Sequence, residues 1–226
     1  MAEVLLIHGS CFGAWAWDRV IPPLSSLGHD VQALDLPGRD GADVSLHDHA
    51  VAILGAIKGR AVLVGHSAGG YPITLAASLA PDRVRALIYI AAYIPQPDKS
   101  LADLRRAGPS QPMRGAFQIS ADGASYRFDP ARCPDLFFHD TDDLTARMRA
   151  EPIRPQETPF PAPLPRAPRA AIIARDDRAI PPAWQREMAK DMPQEELASG
   201  HCPHLSQPSA VASLIHRFIA TELVAD

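Results

Sequence analysis

Six short runs of apolar residues recur along the chain, and several of them are continuous rather than alternating with polar residues. Continuous apolar runs of this length are typical of parallel strands that are buried on both faces of a sheet. We therefore predict strands at Val4–His8, His29–Asp35, Ala61–Gly65, Ala86–Ala92, Ala170–Arg175 and Glu195–Ser199.

Helix-compatible segments separate most of these strands, and they are Trp17–Leu27, Leu46–Lys58, Ala68–Leu79 and Pro181–Asp191. The last helix has the clearest amphipathic pattern, with Pro208 near its start and an apolar stripe at three- and four-residue spacing. The stripe consists of Val211, Leu214, Ile215, Phe218 and Ile219. Alternating strands and helices predict βαβ units, and therefore an α/β protein with a mostly parallel, doubly wound sheet of about six strands.

A proline-rich segment interrupts this alternation between residues 95 and 168. It holds more than half of the chain's 23 prolines, so it cannot supply a central strand, and its proline-dense end should be extended and stiff. A long surface loop is the alternative, but a structureless loop of this length is unusual inside a compact domain. We predict a small cap inserted over the sheet, with short helices at Leu101–Arg106 and Thr141–Ala150. Residues 1–94 and 169–226 would form the core.

The composition narrows the classes of function. The 226 residues suffice for one α/β core, and a net charge of −4 with scattered Lys and Arg argues against a nucleic-acid partner. No apolar run is long enough to cross a membrane, and the N-terminus lacks the features of a signal peptide. Cys11, Cys133 and Cys202 have no metal-ligand spacing and suit reduced thiols. We expect a cytoplasmic protein without metal, cofactor, nucleic-acid or membrane partner, and a homodimer stays open.

The pentapeptide Gly65-His66-Ser67-Ala68-Gly69 lies between a predicted strand and a predicted helix. A G-x-S-x-G sequence in this position is the nucleophile elbow of the α/β-hydrolase fold, where a strained turn exposes the serine hydroxyl above the sheet. The flanking glycines leave room where the strand and the helix approach each other closely. We therefore predict that Ser67 is a nucleophile.

A nucleophilic serine needs a histidine base that is oriented by a carboxylate, and in this fold the acid and then the histidine follow the serine along the chain. His201 lies between the last predicted strand and the last predicted helix. We prefer it as the base over His204, which lies closer to the helix. Asp177 stands four residues before the helix-opening Pro181, and we prefer it as the acid over Asp176.

Backbone N–H groups should stabilise the negative charge that develops on the attacked carbonyl oxygen. One of them would come from Ala68, directly after the nucleophile, and the other from the loop after the first strand. In that loop Gly9 permits a tight backbone path, and the N–H of Ser10 is the best candidate.

The substrate pocket is less sharply marked in the sequence. We predict Cys11, Phe12 and His204 as pocket residues because they lie close to the predicted catalytic groups. Aromatic residues of the cap either line an apolar pocket or anchor the cap to the sheet. These residues are Phe117, Tyr126, Phe137, Phe138 and Phe160.

About two thirds of the chain resembles the plant methyl-esterase and hydroxynitrile-lyase family of α/β-hydrolases, and the resemblance fades across the cap. The similar segments are Val4–Trp17, Gly28–Leu36, Pro37–Arg39, Asp177–Pro181 and Gln185-Arg186. Carried over residue by residue, the resemblance implies Ser67, His201 and Asp177 as a catalytic triad, with Ser10 and Ala68 as the backbone donors.

Two departures from the lyase branch of this family favour hydrolysis. The lyases carry a lysine beside the catalytic histidine and typically a threonine after the first-strand histidine, where this chain has Cys202 and Gly9. The resemblance therefore implies a serine hydrolase that cleaves a small carboxylic ester through an acyl-enzyme intermediate. The alternatives are a hydroxynitrile lyase or C–C bond hydrolase on the same scaffold, and a ligand-binding receptor of the same fold.

Overall fold

The computed structural model describes residues 1–39 and 41–222 of the chain, and its centre is a six-stranded parallel sheet. The strands in chain order are β1 (Glu3–Ile7), β2 (Asp30–Leu34), β3 (Ala61–His66), β4 (Val84–Ile90), β5 (Phe117–Ile119), β6 (Ser125–Phe128), β7 (Glu151–Pro152), β8 (Arg169–Ala174) and β9 (Gln194–Leu197). The order across the large sheet is β2-β1-β3-β4-β8-β9, so the chain begins near the middle and winds towards both edges. This confirms the predicted doubly wound α/β architecture.

Each of the six predicted strands is present, with ends that differ by at most two residues. The largest difference is at β4, which was expected at Ala86–Ala92 and begins at Val84. The pairing of β3 with β4 shifts its register between Ala61 and Val62, and this irregularity brings Val84 into the sheet. All six residues of β3 are buried, as a central parallel strand requires.

The helices between the strands of the large sheet are shorter than the sequence pattern predicts. The helices in chain order are α1 (Ile21–Ser26), α2 (Leu46–Ala56), α3 (Gly70–Leu79), α4 (Leu101–Ala107), α5 (Cys133–Phe137), α6 (Arg154–Glu157), α7 (Pro182–Met188), α8 (Pro203–Ser206) and α9 (Pro208–Arg217). The expected helix Trp17–Leu27 is divided into a 3-10 turn at Ala14–Trp17 and the short helix α1. The division follows from Pro22 and Pro23, which lack an N–H and fit only in the first turn of a helix.

Apolar side chains pack on both faces of the large sheet. On one face α1 and α9 cover the strands, with Leu24, Val211 and Ile215 fully buried. This arrangement confirms the apolar stripe that the sequence predicts for the last helix. On the other face α2 and α3 pack together with the segment that links β4 to β8. No helix in the described ranges is both long and apolar enough to cross a membrane.

The segment that links β4 to β8, residues 95–168, forms α4, α5, α6 and a separate antiparallel sheet of β5, β6 and β7. The short helix expected at Leu101–Arg106 is present as α4, but the one expected at Thr141–Ala150 is only a 3-10 turn at Thr145–Arg147. Asp143 Oδ1 accepts hydrogen bonds from the N–H of Thr145 at 2.9 Å and from its hydroxyl at 2.5 Å. Such side-chain bonds to the local backbone compete with helix formation.

Residues 158–168, which we call the proline strap, have no helix or strand and connect α6 to β8. The N–H of Phe160 donates to the carbonyl of Lys99 at 3.1 Å, and the hydroxyl of Ser78 donates to the carbonyl of Pro163 at 2.9 Å. Because β4 and β8 are parallel, the strap must return the chain from the carboxyl edge of the sheet to its amino edge.

The start of α3 depends on a glycine that no other residue can replace without movement of the backbone. A Cβ at Gly70 would lie 2.1 Å from the carbonyl oxygen of Tyr93, which is far inside the contact distance. We expect Gly70→Ala to lower the free energy of unfolding by roughly 1–3 kcal/mol or more. Gly55→Ala in α2 is the matched control, because a Cβ there meets nothing within 4 Å, and it should stabilise by roughly 0.5–1 kcal/mol. Equal stabilities of the two variants in urea unfolding would contradict this account.

Candidate active site

Ser67 follows directly after β3, in a 3-10 turn that leads into α3. Its φ angle of 52° lies in the left-handed region, which costs energy for a residue with a side chain. A Cβ at Gly65 would lie 2.7 Å from the carbonyl oxygen of Gly69, and a Cβ at Gly69 would lie 2.7 Å from that of His8. The turn therefore has the tight geometry of a nucleophile elbow, and its two glycines are required by close backbone contacts.

Asp177 and His201 meet in the interior, in the loops that follow β8 and β9. The Nδ1 of His201 donates to the Oδ2 of Asp177 at 2.8 Å, and the side chains are 2% and 0% exposed, respectively. The neighbouring Asp176 is exposed, and its backbone N–H bonds to the carbonyl of Ser199. Of the two acid candidates, the structure places Asp177 against His201.

Four hydrogen bonds converge on the carboxylate of Asp177. Besides the bond from His201, Oδ1 accepts from the N–H groups of Ala179 at 2.7 Å and Ile180 at 2.9 Å, and Oδ2 accepts from Nε2 of Gln185 at 2.7 Å. A buried carboxylate is tolerated only when its oxygens are satisfied in this way. With Nδ1 of His201 held as the donor, Nε2 of the same ring is the atom left to accept a proton.

Gln185 was not among the predicted site residues. It is 1% exposed in α7, and its Oε1 accepts from the N–H of Ala174 at 3.1 Å while its Nε2 also donates to the carbonyl of Ile180 at 2.8 Å. These bonds connect α7 to the loop that carries Asp177 and to the end of β8. A buried glutamine eight positions after the acid, inside the following helix, was the signal that could have identified it.

Ser67 and His201 line the same small cavity, together with the predicted backbone donors Ser10 and Ala68. Its other walls are mostly aromatic and aliphatic, with two polar side chains. They are Phe12, Tyr93, Leu101, Arg105, Met113, Phe117, Tyr126, Phe128, Phe137 and Gln156. The structure thus brings together the predicted nucleophile, base and oxyanion donors at the carboxyl edge of the sheet, where ligands bind in open α/β folds.

The loop after β1 runs directly beside Ser67. A Cβ at Gly9 would lie 2.8 Å from the Cβ of Ser67, so only glycine fits there. Cys11 has a φ of 64°, and its N–H donates to Oε2 of Glu151 at 2.9 Å. Glu151 belongs to β7 of the linking segment, so a buried carboxylate from that segment fixes the loop that carries Ser10.

Glu151 is a buried acid that the sequence does not mark, because its partner Cys11 is 140 residues away. Burial raises the pKa of its carboxyl to about 7, against the opposing effect of the hydrogen bond from Cys11. Gln156 also donates to it, from Nε2 to Oε1 at 3.3 Å. Protonation of Glu151 near neutral pH would therefore change the charge directly behind the loop that carries Ser10.

Two of the predicted pocket residues do not line the cavity that contains Ser67. Of Cys11, Phe12 and His204, only Phe12 is among the described residues that line the cavity. The Sγ of Cys11 points to the carbonyl of Tyr126, at 3.9 Å. The ring of His204 is fully buried, with its centroid 4.6 Å from that of Trp17, because α8 turns it away from the cavity and towards the sheet.

His66, Cys202 and His204 form the buried group whose potential ligand atoms all lie within 4.8 Å of one another. Their chemistry is poorly suited to a metal ion. A metal-bound cysteine is a thiolate, whereas burial raises the pKa of the Cys202 thiol well above its usual value. Nε2 of His66 is already committed, since it donates to the carbonyl of His201 at 3.0 Å. The three side chains are better described as packing between the turn at Ser67 and the loop that carries His201.

The α/β-hydrolase family matches residues 4–214, and this chain belongs to that family. It is similar to a pyrethroid hydrolase of Sphingobium wenxiniae, with 32% identity over an alignment that covers 96% of this chain and 88% of that protein. It is also similar to methyl jasmonate esterase 1 of Vitis vinifera, with 26% identity and 95% of each chain covered. The crystal structure of a pyrethroid hydrolase from Sphingobium faniae matches with a TM-score of 0.86, 27% identity and 98% of each chain covered.

These similarities confirm three predictions from the sequence. The fold is that of the α/β-hydrolases, and the resemblance to the plant methyl-esterases holds along nearly the whole chain. Relatives that cover nearly the whole chain are named esterases or hydrolases, which confirms the prediction of a carboxylic ester hydrolase.

Glu151→Gln should change the pH dependence of stability. The pKa of Glu151 is raised to about 7 from 4.5, so its contribution to stability is complete below pH 4.5 and is lost as the pH rises through 7. The neutral amide removes this dependence. As the pH rises from 4.5 to 8, the free energy of unfolding of the variant should therefore increase by about 3 kcal/mol relative to that of wild type. Chemical unfolding across this range measures the difference. The exposed Glu157→Gln is the control, and parallel curves for both variants would contradict the assignment.

His204→Phe should change the pH dependence of stability in the opposite direction, with its effect at acidic pH. Burial lowers the pKa of His204 to about 3, and neither ring nitrogen has a hydrogen-bond partner in the described residues. Its contribution to stability is therefore present above pH 6.5 and is lost as the pH falls through 6.5 towards 3. Between pH 7 and pH 5, the free energy of unfolding should fall by about 2 kcal/mol less in the variant than in wild type. The exposed His47→Gln should follow wild type, whereas an equally steep acid loss in His204→Phe would refute the prediction.

Proposed function

We propose that this protein hydrolyses small carboxylic esters through an acyl-enzyme intermediate on Ser67, with His201 as the general base and Asp177 as its orienting acid. The observation that carries the proposal is the buried hydrogen bond of 2.8 Å between His201 and Asp177, in the loop that shares a cavity with the left-handed Ser67. The pyrethroid hydrolase and methyl jasmonate esterase relatives support the ester as the substrate.

The reaction begins when the hydroxyl of Ser67 attacks the ester carbonyl and His201 Nε2 takes its proton. Asp177 holds the ring in the tautomer that can accept this proton and stabilises the imidazolium that results. The N–H groups of Ser10 and Ala68 bind the oxyanion, and each of them contributes roughly 3 kcal/mol to transition-state stabilisation. His201 then protonates the departing alcohol, and water, activated by the same ring, releases the acid.

The cavity has mostly aromatic and aliphatic walls, which suit an apolar acyl or alcohol group of the ester. The residue after the base, Cys202, is fully buried and uncharged, because burial raises the pKa of its thiol. A lyase would need a cation beside the base to stabilise its anionic leaving group. The buried neutral thiol therefore favours hydrolysis over the lyase alternative.

The test compares wild type with Ser67→Ala on p-nitrophenyl and methyl esters of increasing acyl length. We expect wild type to turn over repeatedly and the variant to lose roughly 10³-fold or more of kcat/KM, because removal of the nucleophile leaves only the oxyanion donors and binding. The exposed Ser209→Ala should retain wild-type rates. Product analysis should give acid and alcohol in equal amounts.

Two results would refute the proposal. If wild type and Ser67→Ala are equally inert on every ester, the chain is not a serine esterase, and tight ligand binding without turnover would identify a receptor. If product forms without consumption of water, the enzyme is a lyase. A fluorophosphonate probe gives an independent readout, since it should label wild type at Ser67 and leave Ser67→Ala unmodified.

A further inference from the structure

A second, more open cavity adjoins the one that contains Ser67. The two share part of their walls, namely Tyr93, Arg105, Met113 and Phe117. The outer cavity is otherwise bounded by the end of α4, the loop before β5 and the start of α7. The two cavities meet at these four residues, and we call the outer cavity the approach to Ser67.

The charged side chains that line this approach are all arginines. Arg105, Arg106 and Arg114 line the outer cavity, and no aspartate or glutamate is among the described residues that line either cavity. Arg106 is neutralised locally, because its Nη2 lies 2.8 Å from Oδ1 of Asp103. The approach therefore carries a net positive charge, which attracts anions towards the site.

Arg105 stands at the junction, where it lines both cavities. Its guanidinium carbon lies 4.4 Å from the centroid of the Phe117 ring, so the side chain is held in place by stacking. It is half-buried, and in the described part of the chain no carboxylate forms an ion pair with it. Its charge also acts on the phenols of Tyr93 and Tyr126, which burial keeps neutral by raising their pKa.

An arginine on a protein surface is most often simply solvated. Arg105 differs because it is stacked on an aromatic ring, is partly removed from water and faces a cavity without a counter-charge. Such a guanidinium presents a planar fork of donors that matches a carboxylate, and the low-dielectric walls strengthen the interaction. The side chain is thus preorganised for an anionic group that reaches in from the substrate.

We infer that Arg105 binds a carboxylate carried by the substrate at the end remote from the scissile ester, so that the preferred substrates are half-esters of dicarboxylic acids. This inference rests on the proposed esterase function and adds the substrate class. The ester lies at Ser67 in the inner cavity, and the distal carboxylate lies at the junction of the two cavities. Arg105 then determines the preference for a substrate with a carboxylate over a neutral one.

The test measures kcat/KM for monomethyl esters of straight-chain dicarboxylic acids of increasing length against the matching ester amides, which are isosteric and neutral. We expect the carboxylate to be favoured about 10- to 100-fold at the best length, as for a hydrogen bond to a charged group. Arg105→Gln should bring this ratio close to one, and Arg105→Lys should restore part of it. Added salt should lower the ratio in wild type.

Arg60→Gln is the matched control, because it removes the same charge at an exposed position before β3, on the opposite edge of the sheet. It should keep the wild-type ratio. A wild-type ratio near one, or the same ratio in Arg105→Gln and Arg60→Gln, would overturn the inference. A ratio is used because partial misfolding of a variant lowers both rates together.

Calorimetric binding separates this inference from the esterase proposal. Ser67→Ala should bind the half-ester about 10- to 100-fold more tightly than the ester amide, and Ser67→Ala with Arg105→Gln should bind both alike. If no ester is hydrolysed by wild type but this binding difference is found, the esterase proposal fails and the carboxylate subsite stands. If neutral esters are hydrolysed in a Ser67-dependent way without any binding difference, the esterase stands and the subsite fails.

Discussion

The left-handed conformation of Ser67 is the constraint around which the rest of the molecule is arranged. To hold a serine in this conformation, β3, α3, the loop after β1 and the residues after β4 must all approach the same turn. Their backbones come so close that a Cβ on Gly9 or Gly70 would collide with Ser67 or Tyr93. The N–H of Tyr93 also donates to the carbonyl of Ser67 at 3.1 Å, which fixes the turn from the side of β4. The strain at one residue is thus maintained by four segments of chain.

Buried polar groups connect these segments to the rest of the site. The carboxylate of Asp177 joins the loops after β8 and β9 to α7, and the carboxylate of Glu151 joins β7 to the loop after β1. Neither charge could remain buried without its donors, so each carboxylate also specifies where the donors must lie. The positions of Ser10 and His201 are therefore set by different parts of the chain, which the sheet holds at one edge.

The sequence was most informative where a residue type is required by local geometry. The position of Ser67 in a strained turn could be predicted because the turn requires its glycine neighbours. The meeting of Asp177 and His201 could be predicted because parallel strands bring their loops to one edge of the sheet. The positions of Glu151 and Arg105 could not be predicted, because they depend on contacts of residues 95–168, where short strands and side-chain-capped turns give little periodic signal. The hairpin of β5 and β6 was missed for the same reason, since its strands are only 3 and 4 residues long. His204 was misplaced because proximity along the chain does not give the direction of a side chain in a short helix.

The proline strap has a consequence for how the molecule tolerates change. A flexible return connection could absorb an insertion or deletion by bulging into solvent, but a proline-rich one has few alternative conformations and a nearly fixed length per residue. It is also fastened to Lys99 and to Ser78 along its course. It connects α6, whose Gln156 lines the cavity, to the first residue of β8. Changes in its length would be transmitted to α6 and so to Gln156 in the wall of the cavity, so natural or engineered variation in the position of α6 should be accompanied by compensating variation in the strap.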